Sequence, residues 1–178
     1  MSPNPTVQAV EGRTLADYTA PGLVIPRLRG EDAAGVIQEL SQAMQREGRV
    51  PDFLPFYHAA MNREFLVSTE MESGMAFPHA RLPGLTEVSF AFGRSDVPLA
   101  WGTRGVRSVR MVFLLAAPAT DAAQYLLLIS GLARLSREPR LVEALLTARE
   151  PAEVIATLRQ IPVRRNGAAN APKKAVLT

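Results

Sequence analysis

Four stretches of the chain carry apolar residues in the short, dense runs that predict β-strands. They span residues 23–28, 75–77, 86–93 and 109–117. The fourth is apolar at almost every position, which is typical of a central strand covered on both faces. The first contains Pro26, which has no backbone N–H to donate, so this strand is expected at an edge of the sheet. The segment from 94 to 107 is predicted to be a loop that Trp101 anchors to the core.

Five other segments repeat their apolar residues at the spacing of an amphipathic helix. They begin near residues 31, 52, 121, 139 and 151, where acidic residues or proline suit a first helical turn. Asp121, followed three residues later by Gln124, has the spacing of a capping box. The residues predicted to face inward on the second helix are Phe53, Leu54, Tyr57, Ala60 and Met61. Those predicted to face inward on the third are Leu126, Ile129, Leu132, Ala133 and Ser136.

The elements follow one another in the order β-α-α-β-β-β-α-α-α. This order predicts a single α/β domain with three layers, α/β/α, in which helices cover both faces of a small mixed β-sheet. The length of 178 residues and the apolar content of 47% suit one domain with a sizeable core. The domain is expected to span residues 15–162, with a flexible arm over 1–14 and a disordered basic tail over 163–178.

Scarce residue types exclude several kinds of site. The chain has no cysteine, so it can hold neither a disulfide, nor a thiolate zinc site, nor a Cys/His catalytic pair. Its two histidines are too few for a multi-histidine metal site within one chain. No metal and no cofactor are therefore expected. No apolar run approaches the ~20 residues of a membrane span, and the first residues lack the basic start and apolar run of a signal peptide. A cytoplasmic location is expected.

The basic character of the chain is concentrated at its end. The isoelectric point is 9.8, yet residues 163–178 contain four of the basic residues and no acidic one. Without those four, 16 basic residues stand against 17 acidic ones, so the predicted domain is close to neutral. A basic tail can bind nucleic acid loosely. No aromatic residues interleave with the basic ones, and a specific nucleic-acid function is not expected.

One stretch, residues 74–81 (GMAFPHAR), concentrates the candidate chemistry. Pro78 fixes its own φ and restricts the residue before it, so the backbone that leads to His79 is stiff. A histidine held in this way, beside the cation of Arg81, suits a nucleophile or a general base. The alternative is a turn histidine without a chemical role. The other histidine, His58, follows Tyr57 on the second helix and is expected to be a solvated surface residue.

The loop before this stretch supplies hydroxyl groups. Ser68, Thr69 and Ser73 can orient an oxyanion, although serine and threonine are also common in loops that have no function. No nucleotide-binding glycine loop and no magnesium-binding group of residues is apparent. A phosphoryl donor, if there is one, is therefore more plausibly a phosphoprotein than a nucleotide.

Arg63-Glu64 together with residues 74–81 resembles the signature of the type-2 enzyme IIA domains. These domains belong to the bacterial phosphoenolpyruvate-dependent phosphotransferase system, in its fructose, mannitol and nitrogen-regulatory branches. Further downstream the similar segments are residues 91–94 (AFGR), Trp101, residues 112–118 (VFLLAAP) and residues 132–135 (LARL). The resemblance covers about residues 15–160.

The resemblance implies a phosphoryl acceptor at His79, loaded by the small carrier HPr. It places the family's arginine at Arg63, and a phosphate-supporting role is expected of Arg63, Thr69, Arg81 and Tyr125. Many members have a second histidine in the helix after the apolar strand, and Tyr125 takes that position here. A phenol can donate a hydrogen bond to a phosphoryl oxygen but cannot supply an imidazolium cation.

Three functions are compatible with these residues. The first is a phosphocarrier that receives the phosphoryl group from HPr and passes it to a IIB partner, with contact to a membrane only through a permease. The second is a regulatory protein of the nitrogen type, whose phosphorylation state controls its binding to target proteins. The third is a histidine-dependent hydrolase. It ranks lowest because the chain has no nucleophile elbow and no acid spaced to orient His79.

Overall fold

The computed structural model describes residues 12–102 and 106–164. In these ranges two 3-10 helices, Leu15–Tyr18 and Pro21–Leu23, precede the first strand. The strands are β1 (Val24–Ile25), β2 (Met75–Ala76), β3 (His79–Leu82), β4 (Ser89–Trp101) and β5 (Val106–Pro118). The α-helices are α1 (Ala33–Arg46), α2 (Phe53–Leu66), α3 (Ala122–Leu135), α4 (Pro139–Thr147) and α5 (Pro151–Leu158). None of them is long and apolar enough to cross a membrane.

The strands form one mixed sheet in the order β1-β4-β5-β2. β5 pairs antiparallel with β4, while β2 and β3 lie end to end along its other side and pair with it in parallel. β5 is therefore the central strand, as its apolar sequence predicts. Among the described strands β1 pairs with β4 alone, so the strand that ends before Pro26 lies at the edge of the sheet. The edge position predicted from Pro26 is thereby confirmed.

The strand predicted over 75–77 is β2, and a separate strand, β3, follows it from His79, which adds one strand to the expected order. Pro78 has no N–H, and the N–H of Phe77 bonds to the hydroxyl of Thr69 instead of to β5. The ladder with β5 is thus interrupted after Ala76 and resumes at His79, from where β3 continues to Leu82.

The prediction of a loop over residues 94–107 was wrong for most of its length. β4 continues to Trp101, and β5 begins at Val106. Pro98 falls in a stretch where the register between the strands shifts, between Arg94 and Leu99. A proline cannot donate to the ladder, but a bulge at that point lets pairing resume beyond it. Trp101 is buried, as expected of an anchor.

Each face of the sheet carries its own core, because successive side chains of β5 point to opposite faces. Val112, Leu114 and Ala116 pack with the apolar side chains of α1 and α2. Phe113, Leu115 and Ala117 pack with those of α3, α4 and α5. Helices therefore cover both faces of a small mixed sheet, and the predicted α/β/α fold is confirmed.

The buried faces of two helices differ from the prediction. On α2 the buried residues are Phe56, Ala60 and Glu64, a stripe of four-residue steps, whereas Leu54 is exposed. A pattern that counts only apolar residues misses this face because it ends in a carboxylate. On α3, which is apolar on all sides, Leu128 and not Leu126 lies in the core.

The folded domain extends slightly past the predicted limits of 15 and 162. Thr14 forms a β-bridge with Pro162, and the N–H of Val163 donates to the carbonyl of Arg13 at 2.8 Å. Val163 is buried in the core to which α3, α4 and α5 contribute. Most of the predicted arm and tail, residues 1–11 and 165–178, lies outside the described residues.

Candidate functional site

His79 begins β3, where the chain emerges from the rigid Phe77–Pro78 step. Its Nδ1 lies 3.0 Å from the carbonyl oxygen of Phe77. A carbonyl oxygen only accepts, so we assign the proton of the neutral ring to Nδ1. The lone pair then resides on Nε2, the nitrogen on the opposite side of the ring. The geometry thus provides an imidazole with one defined nucleophilic atom.

The surroundings of His79 favour its neutral form. Burial lowers the pKa of His79 below its ordinary value of 6.5, and the charges of Arg63 and Arg81 lower it further. The hydrogen bond to Phe77 and the charge of Glu64 act in the opposite direction without reversing the result. A neutral ring is the form that carries the free lone pair, so the imidazole is ready to act as a nucleophile at neutral pH.

Tyr125 stands beside His79, with the two ring centroids 5.4 Å apart and the planes tilted by 44°. It lies in the first turn of α3, which Asp121 caps by accepting from the N–H of Gln124. The predicted N-cap is thereby confirmed. Burial raises the pKa of Tyr125, so its hydroxyl stays protonated and can donate a hydrogen bond at neutral pH.

Two guanidinium groups complete the surroundings of the ring. Arg81 lies two residues after His79 on β3, so both side chains point to the same face of the strand. Its guanidinium lies 5.9 Å from the centroid of the Tyr125 ring and donates to the carbonyl of Ala119 at 2.9 Å. Arg63 lies in the last turn of α2 and donates to the carbonyl of Val67 at 3.0 Å. The charge of Arg63 lowers the pKa of both His79 and Tyr125.

The hydroxyl of Thr69 bonds to Glu64 and to the backbone before His79, and not to the His79 ring itself. Its Oγ1 donates to Oε2 of Glu64 at 2.7 Å and accepts from the N–H of Phe77 at 2.9 Å. Glu64 was assigned no role from the sequence beyond the end of a helix. The only sequence signal for it is its place beside Arg63 in the motif. Ser68 also bonds to Glu64, at 3.2 Å.

The other histidine, and an acidic residue of the loop after α2, have partners of their own. His58 is exposed on α2, where its ring contacts that of Tyr57 at 5.3 Å. Glu70 turns toward the start of β5 and accepts from the hydroxyl of Ser108 at 3.0 Å. Among residues 12–102 and 106–164, no three carboxylate or imidazole side chains are grouped so as to hold a metal ion.

Exposed apolar side chains follow two of the site residues directly along the chain. Phe65, Leu66 and Val67 follow Arg63 at the end of α2 and are 74%, 77% and 62% exposed. Leu126 follows Tyr125 on α3 and is 60% exposed. We call these four residues the apolar rim. Exposed large apolar side chains are typical of surfaces that bind another protein where they form one patch.

A sequence profile of the family described as "Phosphoenolpyruvate-dependent sugar phosphotransferase system, EIIA 2" matches residues 18–161. The chain belongs to this family. The resemblance that the motif around His79 suggests is thereby confirmed. The match includes every residue of the site, from Arg63 on α2 to Tyr125 on α3.

Relatives of this EIIA domain occur in both regulation and transport. A nitrogen regulatory protein of Bradyrhizobium diazoefficiens is 28% identical over 149 residues, which cover 83% of this chain and 96% of that protein. The transcriptional regulator ManR of Bacillus subtilis is 33% identical over 132 residues, which cover 74% of this chain but only 19% of ManR. The fructose-specific EIIABC component of the same organism is 26% identical over 133 residues, covering 75% of this chain and 21% of that protein.

Solved structures share the fold. The nitrogen regulatory protein IIA-Ntr of Neisseria meningitidis superposes with a TM-score of 0.69 at 22% identity, covering 81% of this chain and 98% of that one. The Escherichia coli mannitol enzyme IIA, in its complex with phosphorylated enzyme IIB, superposes with a TM-score of 0.66 at 17% identity, covering 78% of this chain and 95% of that one. Both support the α/β fold described above.

Proposed function

We propose that this EIIA domain accepts a phosphoryl group on Nε2 of His79 and passes it on to a partner protein. The observation that carries the proposal is the contact between Nδ1 of His79 and the carbonyl of Phe77, which leaves Nε2 as the nucleophile. In the proposed step the Nε2 lone pair forms a bond to phosphorus while the bond from phosphorus to the donor's leaving atom breaks. The donor keeps that electron pair. The proton on Nδ1 stays in place, and its hydrogen bond to Phe77 stabilises the cationic ring.

The neighbours of His79 fit the charge that moves in such a step. A phosphoryl group in transfer spreads negative charge over three oxygens, and catalysis consists mostly of positioning and of holding that charge. Arg63 and Arg81 supply guanidinium donors, which match phosphoryl oxygens well. The phenol of Tyr125 adds a neutral donor on the other side of the ring.

The donor and the acceptor are proposed to be proteins, namely an HPr-type carrier and a IIB domain. The apolar rim supports this, because a small phosphorylated metabolite would leave those side chains in water. The structural likeness to an enzyme IIA that was solved in complex with a phosphorylated IIB is consistent with it. We propose that donor and acceptor dock in turn over the same rim.

A regulatory role is the second candidate. The similarity to a nitrogen regulatory protein extends over 96% of that relative's length. In this role the phosphorylation state of His79 would change which target protein binds the rim, with little flux of phosphoryl groups to a sugar. The chemistry at His79 is the same in both roles, so they differ only in the acceptor.

Phosphoenolpyruvate, enzyme I and HPr supplied together test the proposal. Wild-type protein should gain one phosphoryl group, which alkaline mass spectrometry should locate at His79 and NMR at Nε2. His79→Ala should gain none. The matched control, His58→Ala, should be labelled like the wild type. Label that persists in His79→Ala, or that maps to His58, would contradict the proposal. Chasing the labelled protein with IIB domains then separates transport, in which the label is lost to IIB, from regulation, in which it is retained.

A further inference from the structure

Glu64 is a buried carboxylate without a cationic partner among the described residues. It is 5% exposed and stands in the buried stripe of α2. The ion pairs in the described ranges all involve Asp96, which lies elsewhere. The neighbouring Arg63 turns its guanidinium to the carbonyl of Val67. Burying a carboxylate is costly unless hydrogen bonds replace its water, so Glu64 needs an explanation.

Four donors surround this carboxylate. Oε1 accepts from the N–H of Thr69 at 2.8 Å, from Nε1 of Trp101 at 2.8 Å and from the hydroxyl of Ser68 at 3.2 Å. Oε2 accepts from the hydroxyl of Thr69 at 2.7 Å. Glu64 thus ties the end of α2, the loop that follows it and the end of β4 together at one point.

This arrangement leads directly to the ring of His79. A threonine hydroxyl has one proton, and the proton of Thr69 goes to Glu64, so a lone pair of Oγ1 is left for the N–H of Phe77 at 2.9 Å. Phe77 lies between β2 and β3, where pairing with β5 is interrupted, so its N–H does not bond to β5. The carbonyl of the same residue accepts from Nδ1 of His79.

We propose that Glu64 is a positioning residue, which acts through Thr69 and Phe77 to keep the His79 proton on Nδ1 and the lone pair on Nε2. Its role in transfer rests on the proposed function, whereas its effect on the ring does not. The orientation of Thr69 carries the link: its proton points to Glu64, so a lone pair of the same oxygen faces the N–H of Phe77.

The competing explanation is that Glu64 only fastens α2 to Trp101. The two explanations differ at Thr69→Val, which removes the link to Phe77 but leaves Glu64 its bonds to Trp101, Ser68 and the Thr69 N–H. A fastening role predicts an unchanged His79 ring in this variant. A positioning role predicts that the ring loses its single tautomer.

The test compares wild type, Thr69→Val, Thr69→Ser and Glu64→Gln after ¹⁵N labelling. With only two histidines in the chain, the imidazole nitrogens of His79 can be assigned, and His58 serves as the internal reference. We expect the Nδ1–H tautomer in wild type and Thr69→Ser, and a mixture of tautomers in Thr69→Val and Glu64→Gln. The rate of phosphoryl acceptance from HPr should fall about 10-fold or more in Thr69→Val and Glu64→Gln, because a small displacement of a reacting atom already slows a reaction. Thr69→Ser, which keeps the hydroxyl, should accept at a rate close to that of the wild type.

Circular dichroism and thermal melting confirm that each variant folds, and if Glu64→Gln does not fold, the Thr69 pair decides alone. Folded Thr69→Val with wild-type ¹⁵N shifts for His79 would overturn the proposal, whatever its phosphorylation rate. Altered His79 shifts in a protein whose wild type never accepts a phosphoryl group would leave the positioning role intact and refute the proposed function instead.

Discussion

The ring of His79 lies against the ring of Tyr125, with centroids 5.4 Å apart, and the guanidinium of Arg81 lies over the same Tyr125 ring, 5.9 Å from its centroid. The proposed nucleophile is therefore bordered by a neutral phenol where many type-2 enzyme IIA domains have a second histidine. A phenol can donate one hydrogen bond to a phosphoryl oxygen, but it carries no positive charge. The two guanidinium groups are left as the cations of the site.

Tyr125→Phe should slow phosphoryl acceptance by about 3- to 10-fold, which corresponds to the loss of one hydrogen bond. The ring packing against His79 is retained, so thermal stability should hardly change. Tyr125→His should accept at least as fast as the wild type, because it adds a group that can carry positive charge. The time course of phosphoryl transfer from phosphorylated HPr, quenched at short intervals, measures all three rates. A Tyr125→Phe rate equal to that of wild type would show that the hydroxyl does not reach the phosphoryl group.

Arg63→Ala should slow acceptance about 10²-fold, as is typical when one charge-stabilising donor is removed. Part of any effect could arise from the lost bond to the carbonyl of Val67, which caps α2. Arg63→Lys retains the positive charge but lacks the planar fork of donors, so its rate should lie between those of Ala and wild type. Arg159→Ala, at an exposed arginine just after α5, is the control for a general loss of charge. Equal rates for Arg63→Ala and Arg159→Ala would contradict the role of Arg63.

The layer order and the central strand could be predicted because the apolar pattern decides them. A run such as residues 109–117 has no stable place except between two helical layers, and β5 lies there. The break at Pro78 and the continuation of β4 past Pro98 were harder to predict, since in both places the backbone hydrogen bonds depend on a distant partner. Thr69 takes the N–H of Phe77 in the first case, and β5 resumes pairing in the second.

The candidate site divides in the same way. His79, Arg63, Arg81 and Tyr125 were predicted from a local motif and a family resemblance, and the fold brings them together. Glu64 belongs to the motif, but its burial was not predicted from the sequence. Its burial depends on Trp101, which lies 37 positions away on β4 in a segment predicted to be a loop. A contact of this separation leaves no periodic trace in the sequence.

The apolar rim should govern binding of the donor protein and not the chemistry. Leu66→Ser should raise KM for phosphorylated HPr about 10-fold, because exposed apolar side chains at the centre of a protein contact carry much of its energy, and it should leave kcat nearly unchanged. Val97→Ser is the control, since Val97 is an apolar residue that is 60% exposed, against 77% for Leu66, but lies on the irregular stretch of β4. If Leu66→Ser lowers kcat with an unchanged KM, or if Val97→Ser has the same effect on KM, the rim is not the docking surface.

Arg94 should matter for stability and not for transfer. Its buried guanidinium donates to the carbonyls of Leu146 and Pro26 and to the carboxylate of Asp96. Arg94→Ala removes the donor from two carbonyls, so the free energy of unfolding should fall by about 2–4 kcal/mol. Arg27→Ala removes a cation that is 84% exposed from the same Asp96, so the urea midpoint should move little.

The rate of phosphoryl acceptance per folded molecule provides the other half of this test. It should be the same in wild type and in Arg94→Ala, since Arg94 pairs with Met111, whereas His79 pairs with Leu115 further along β5. Equal urea midpoints for the two arginine variants, or a lower rate in folded Arg94→Ala, would contradict this prediction.

The pH dependence should follow the neutral form of His79. Burial and the two arginines hold the pKa of His79 below 6.5 in the folded protein, so the acceptance rate should begin to decline at a lower pH than it would for an imidazole with the ordinary pKa. In the unfolded chain the ring binds a proton at higher pH than in the folded one. The contribution of His79 to stability is therefore fully present above the unfolded-state pKa of about 6.5 and is lost as the pH falls toward the folded-state pKa.

Two variants test this pH dependence. His79→Gln should lack this part of the pH dependence of unfolding, while Arg81→Ala, which removes a cation, should raise the pKa of His79. NMR titration of the ring measures the shift directly, and a midpoint above 6.5 in wild type would contradict the prediction.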